Sequence, residues 1–231
     1  LSTKLQEHNN SLLYDQFHDR IGEIVLGEVH HIRKQHAILL DEEGNEFILP
    51  KENQIPSDFY KKGETVRAVI EKVDFKGSKP LIIVSRTSPV FLEKLLELEI
   101  PEIQDGTIML KKVVRIPGEK AKIAVDAYDD RIDPVGACVG VKGSRIHGVV
   151  RELRNENIDV IQWSKNPEIM VKRALGNVTI NKIEINIERN YALVFTPIEE
   201  ISRVIGKQGQ NIRLASWLSG FEIDVHREVE G

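Results

Sequence analysis

The 231-residue chain is 41% hydrophobic and 29% charged, which is enough apolar content for folded cores and excludes wholesale disorder. Its net charge of −4 and pI near 6.0 exclude nucleic-acid binding by bulk positive charge, so any basic surface must be local. A single cysteine, Cys138, excludes an internal disulfide and fits a reducing, cytoplasmic setting; no run approaches the roughly 20 apolar residues of a membrane span, and no signal peptide is visible.

The chain opens on Leu1 rather than Met, so we expect a fragment that lacks an upstream domain. Residues 1–18, LSTKLQEHNNSLLYDQFH, are polar with apolar residues at Leu5, Leu12, Leu13 and Phe17, and read as a helical lead-in from that domain. From Ile21 the texture changes to short β-branched runs: GEIVLGEVHHI, HAILLDEEGNEFILP, ETVRAVIEKVDF and KPLIIVSR. Asp41-Glu42-Glu43-Gly44-Asn45 and Lys76-Gly77-Ser78-Lys79-Pro80 are turn signals between them. Five short strands in about 70 residues predict an all-β OB-type barrel over residues 19–87.

A helix follows in SPVFLEKLLELEIPEI, with Ser88 as its cap, Pro89 in its first turn, and Phe91, Leu92, Leu95, Leu96 and Leu98 as its apolar stripe up to Pro101. GTIMLKKVVRI and EKAKIAVDAY alternate as two strands around Pro117-Gly118. Asp133 and Pro134 open a helix, a glycine loop interrupts it, a second helix runs to Arg154, and NIDVIQWS reads as a third strand. The order then repeats. NPEIMVKRALG is a helix, VTINKIEINIER and YALVFTP are strands around Arg189-Asn190, and PIEEISRVI and QNIRLASWLSG are helices around a second glycine loop, before the strand FEIDVHRE. Two α+β units of roughly 65 residues are therefore expected, over residues 88–165 and 166–231. The link through Lys165-Asn166-Pro167 is too short to act as a free tether, so the units should pack together, with Trp163 and its apolar neighbours in the contact.

The two loops share one grammar: Gly140-Val141-Lys142-Gly143 and Gly206-Lys207-Gln208-Gly209. Two glycines three apart let the backbone turn between helices without a Cβ clash and let a sugar-phosphate chain come close. The second helix then offers unpaired N–H groups and a positive dipole end to phosphate. KH modules clamp about four nucleotides of single strand with this device. Local charge agrees. Residues 134–154 carry Lys142, Arg145, Arg151 and Arg154 against Glu152 alone, and residues 202–217 carry Arg203, Lys207 and Arg213 with no acid. The candidate RNA contacts are thus Gly140, Val141, Lys142, Gly143, Arg145 and Arg151 in the first unit. In the second they are Gly206, Lys207, Gln208, Gly209, Asn211 and Arg213.

Other chemistry finds no support. Neither loop has the G-x-G-x-x-G spacing after a strand that a dinucleotide needs. One cysteine cannot complete a usual zinc set, and no nucleophile motif occurs, so we expect no enzyme, metal or cofactor. The acids Asp126, Asp129, Asp130 and Asp133 read as a capped, solvated turn, Cys138 as a packed core residue, and Trp163 and Trp217 as core or inter-unit packing. His30, His31 and His36 read as solvated strand residues.

An OB barrel followed by two KH units of the type II arrangement resembles the NusA family of bacterial transcription factors. The strings that carry the resemblance are GEIVLGEV, ILPKENQIP, IIVSRTSPVFLEKLLELEIPEIQDGTI, GEKAKIAV, DPVGACVGVKGSRI, VVRELRNENIDVIQWS and IGKQGQNIRLAS, in order through residues 20–227. The barrel is similar to the S-one type, named for a ribosomal protein. The resemblance implies a cytoplasmic, monomeric binder of single-stranded RNA that modulates pausing, elongation, termination and antitermination. RNA polymerase and other elongation and antitermination factors are then its protein partners, and an N-terminal polymerase-binding domain precedes the barrel. The chain departs from the pattern in two places. The aromatic pair that many such barrels carry is missing around RKQHAILL, and TPIEEISRVIG brings more acid up to the second loop. A different class of function stays open at this point: a protein-interaction scaffold in which RNA contact is minor.

Overall fold

The computed structural model describes residues 2–228, which form two compact units divided between Leu95 and Leu96. In the first, α1 (Ser2–His18) precedes β1 (Ile24–Arg33), β2 (His36–Leu40), β3 (Glu46–Leu49), β4 (Thr65–Lys76) and β5 (Lys79–Ser85). The five strands close into a barrel in the order β1-β2-β3-β5-β4, antiparallel except for the pair of β3 with β5. Alternation fills it: Val25, Val29, Leu39, Phe47, Ile70, Ile82 and Val84 point inward and are buried. Gly27 is required where β1 crosses β2, because a Cβ there would sit 2.7 Å from Cβ of Leu39.

The lead-in is a helix, and it belongs to the barrel's core. Phe17 is fully buried and meets Phe47 edge-on at 5.6 Å, while Tyr14 stacks on Phe75 at 4.5 Å. Arg86 and Asp58 form a buried ion pair at 2.9 Å, with the Arg86 guanidinium also donating to the Arg67 carbonyl and lying 5.3 Å from the Phe91 ring. Phe91 and Leu92 lie in α2 (Pro89–Glu99), so the unit division falls inside this helix and later than the sequence boundary at residue 87.

The second unit contains both repeats. The first has α3 (Pro101–Gln104), β6 (Ile108–Ile116), β7 (Lys120–Ala127), α4 (Pro134–Val139), α5 (Ser144–Glu152) and β8 (Asn157–Gln162). The second has α6 (Pro167–Leu175), β9 (Lys182–Asn186), β10 (Tyr191–Thr196), α7 (Ile201–Ile205), α8 (Gln210–Ser219) and β11 (Glu222–Arg227). Each sheet has three strands. In both, the first two strands pair antiparallel and the third joins the middle one in parallel. The repeats share one core, in which Val114, Ala124 and Ile161 of the first sheet meet Met170, Val171, Leu214 and Leu218 of the second repeat's helices. Trp163 packs half-buried against that core, with Lys111 Nζ 4.6 Å from its ring, in keeping with the short link. A fully buried Arg115–Glu156 pair at 2.8 Å, with Gly118 N–H also donating to Glu156, ties the β6–β7 turn to the start of β8.

Candidate nucleic-acid interface

Each glycine turn is built by the helix before it. Asp133 caps α4 by accepting from Gly136 N–H at 3.1 Å, and α4 ends when Gly140 takes φ 78° and ψ 174°. Gly206 ends α7 with φ 78° and ψ 173°. The third residues match as well, Lys142 at φ 54°, ψ 31° and Gln208 at φ 53°, ψ 27°. So do the last glycines, Gly143 at φ 75°, ψ 15° and Gly209 at φ 72°, ψ 14°. Two different sequences thus make one backbone shape. In both, a side-chain-bearing residue holds a left-handed conformation, at a cost of about 1–2 kcal/mol that the flanking helices must offset.

The turns present their middle residues to solvent. Val141 is 81% exposed, and Lys142, Lys207 and Gln208 are exposed too. Arg151 is exposed on α5, and exposed Arg213 on α8 donates to the Gln208 carbonyl at 3.0 Å. Ser144 begins α5 and Gln210 begins α8 directly after the turns, their N–H groups donating to the Val141 and Lys207 carbonyls, so the positive dipole end of each helix lies beside the exposed lysines.

Two candidates are also engaged by the protein's own groups. Asn211 is buried, and its amide donates to the carbonyls of Val204 at 2.9 Å and Leu175 at 3.0 Å. Those bonds brace the turn from beneath with the side chain buried. Arg145 stands at the same place in the first turn, five residues past the first glycine. It pairs with Glu102 at 2.6 Å and donates to the Ala137 carbonyl at 2.9 Å, so its guanidinium is tethered to the protein while its side chain stays about one-third exposed. The Arg145 hydrogen bond also holds the Glu102 carboxyl below its ordinary pKa.

The remaining readings divide. Burial keeps Cys138 out of reach and, with the Glu102 charge adding to the effect, pushes its thiol up to about 11. Trp217, expected to be packed, is 46% exposed. His36 accepts from Lys51 N–H at 3.1 Å, so it is a structural acceptor, while His30 and His31 are exposed.

Sequence reasoning missed the outer edge of the first sheet. β8 ends that sheet, and an open groove of about 520 Å³ runs along it from Ile158 to Gln162, with Arg173, Gly176 and Asn177 on the far side. No local pattern marks this groove, because its two walls come from different repeats.

Two family descriptions match the chain. NusA-like first KH domain covers residues 86–163, and NusA-like second KH domain covers residues 167–230. The chain belongs to the NusA family. Three curated relatives agree, each called transcription termination/antitermination protein NusA. The one from Halalkalibacterium halodurans is 40% identical over 230 residues, spanning 100% of this chain and 60% of the relative. The Bacillus subtilis protein is 37% identical over 100% of this chain and 62% of its own length. The Thermus thermophilus protein is 35% identical over 96% of this chain and 58% of its own length. The chain therefore spans about three-fifths of the NusA relatives it matches, and its glycine turns are those of KH domains, a fold that implies RNA binding.

Proposed function

We propose that the two KH domains clamp one continuous single strand of RNA, within a cytoplasmic factor that modulates pausing, termination and antitermination by RNA polymerase. The observation that carries this reading is the repetition of one strained turn in two sequences, each time with its long middle side chains in solvent. Lys142, Lys207 and Gln208 reach phosphate oxygens, and Val141 meets a base or sugar face. Arg151 and Arg213 flank the two turns. The name shared by the relatives supports the transcription setting, and with it polymerase and other elongation and antitermination factors as partners. We read the chain as a monomer without catalytic chemistry. The closed five-stranded order supports an S-one-type OB barrel, and the α-β-β-α-α-β order supports type II KH domains.

The test is a titration of unstructured RNA against the chain with Val141→Asp, Lys142→Asp, Lys207→Asp and Gln208→Asp combined. These exposed positions should change folding stability little, by about 0.5 kcal/mol or less each. RNA affinity should fall more than about tenfold, since each turn then repels phosphate. With about four nucleotides per KH site, affinity for the unchanged protein should climb between about five and eleven nucleotides. With about four to six phosphates neutralised, log K should fall against log salt with a slope of roughly −3 to −4. Unchanged affinity in the fourfold variant would instead favour a protein-interaction scaffold, the reading to which the net charge of −4 lends weight.

A further inference from the structure

The repeat exposes one surface in the second KH domain that it covers in the first. Along β10, Ala192, Val194 and Thr196 are buried toward the helices. Tyr191, Leu193 and Phe195 alternate to the opposite face, are half-buried, and lie outside the shared core. Exposed residues of the neighbouring strands flank this stripe. Leu193 pairs in register with Glu184 on β9 and with Asp224 on β11. Phe195 lies between Lys182, whose Nζ is 5.6 Å from the ring, and the His226 ring at 6.2 Å. The Tyr191 hydroxyl donates to Asp224 at 3.0 Å.

The strand registers identify the matching positions in the first domain. β8 begins at Asn157 opposite Lys120, and β11 begins at Glu222 opposite Tyr191. Leu193 therefore corresponds to Lys122, Asp224 to Asp159, and Glu184 to Val114. On the first sheet this face is covered by the next repeat. Val114 and Ala124 pack beneath α6 and α8, and Lys112 Nζ donates to the Trp217 carbonyl at 2.5 Å. Lys122 is fully buried there and meets Asp159 at 2.8 Å. That lysine supplies a cation at the centre of the covered face. The second domain has Leu193 at the centre instead, with a carboxylate on each side.

We propose that the outer face of the second KH sheet docks an amphipathic helix of a partner protein, with an aliphatic stripe for Tyr191, Leu193 and Phe195 and arginines along its flank. The same face of the same fold takes helices one repeat earlier, which selects a helix as the occupant. Lys182 Nζ already pairs with Glu184 at 3.0 Å, whereas Asp224, the counterpart of Asp159, meets the Tyr191 hydroxyl and the His226 ring, so the cation that Lys122 gives Asp159 is left for the partner to bring to Asp224. Arginine fits because it stacks on aromatic rings and pairs with carboxylates. Glu184, Glu222 and Asp224 outnumber Lys182, so phosphate is repelled and two copies of the face repel each other.

The test uses the whole chain and two synthetic stapled helical peptides. Both carry leucines at i, i+4 and i+7; one is flanked by arginines and the other by glutamates. Fluorescence anisotropy should show binding of the arginine peptide, with amide shifts confined to residues 182–196 and 222–227. Glu184→Lys with Asp224→Lys keeps the apolar stripe and should weaken binding at least about tenfold, while RNA affinity holds or rises. Leu193→Asp, with an unchanged melting temperature as its control, should abolish peptide binding. Equal binding of both peptides, shifts elsewhere, or indifference to the charge reversals would overturn the proposal. So would RNA shifting these same amides, or dimerisation of the chain through this face.

Discussion

The two glycine turns have the same backbone to within a few degrees, but they are braced in different ways. In the second, Asn211 holds the turn with a buried neutral amide that donates to two carbonyls. In the first, Arg145 does so with a guanidinium that is about one-third exposed and paired with Glu102. A buried amide leaves its acceptors unsatisfied when removed, at about 1–3 kcal/mol for each group. A partly solvated ion pair is replaced by water at about 1 kcal/mol or less. One turn shape can thus rest on supports of unequal strength and unequal pH sensitivity.

Gly206→Ala against Gly140→Ala should separate the turns most. At Gly206 a Cβ would lie 2.6 Å from Cβ of Asn211 and 2.9 Å from its backbone nitrogen, at φ +78°. We expect a loss of about 3–4 kcal/mol in denaturant unfolding, from strain and overpacking together. At Gly140, also at φ +78°, the two nearest atoms are Arg145 Cγ at 2.9 Å and Ser144 Oγ at 3.0 Å, side-chain atoms that can swing away, and the backbone nitrogen of Arg145 lies at 3.1 Å, farther than the 2.9 Å of its counterpart at Gly206. There the loss should be about 1–2 kcal/mol. Equal losses would remove the distinction.

Removing the braces themselves should have a smaller effect. Asn211→Ala should cost about 2–3 kcal/mol and lower RNA affinity. Arg145→Ala should cost about 1 kcal/mol or less. The same denaturation series checks both, and a larger loss from Arg145→Ala would invert the comparison.

Acid should have the smallest and most local effect. The folded pKa of Glu102 lies below its ordinary 4.5, so its contribution is complete above pH 4.5 and is lost as pH falls through the folded value. Amide exchange in residues 140–145 should therefore quicken below about pH 4.5. Residues 206–211 should not follow through their brace, because the Asn211 amide does not titrate. Parallel quickening in both turns would show that Glu102 is not what distinguishes them.

The sequence did not show that Arg145 and Asn211 donate to backbone carbonyls beside their turns, because it offered charge and polarity without direction. A side chain in the first turn of a helix leans back toward its N-terminus, so a residue placed just past the second glycine reaches over the turn and into the protein. The burial of Lys122 was hidden for a related reason. In KAKIAV the alternation reads as one wet and one dry face, yet both faces of β7 are buried, because the next repeat covers the side that alternation leaves polar. Phe17 looked like part of a polar lead-in until the barrel gave it a core to enter.

The chain's own order of residues determined what is local: the helix starts at Ser88, Asp133 and Asn166, the strand alternation, and the duplicated glycine turns. These follow from φ preferences, capping and periodicity over a few residues. Only the tertiary structure decided what depends on neighbours distant in sequence. It tied Arg145 and Asn211 to backbone carbonyls, buried Lys122 against Asp159, opened the groove along β8, and covered one KH sheet while leaving its twin exposed. The physical reason is that burial and pairing belong to two surfaces at once, and one stretch of sequence specifies only one of them.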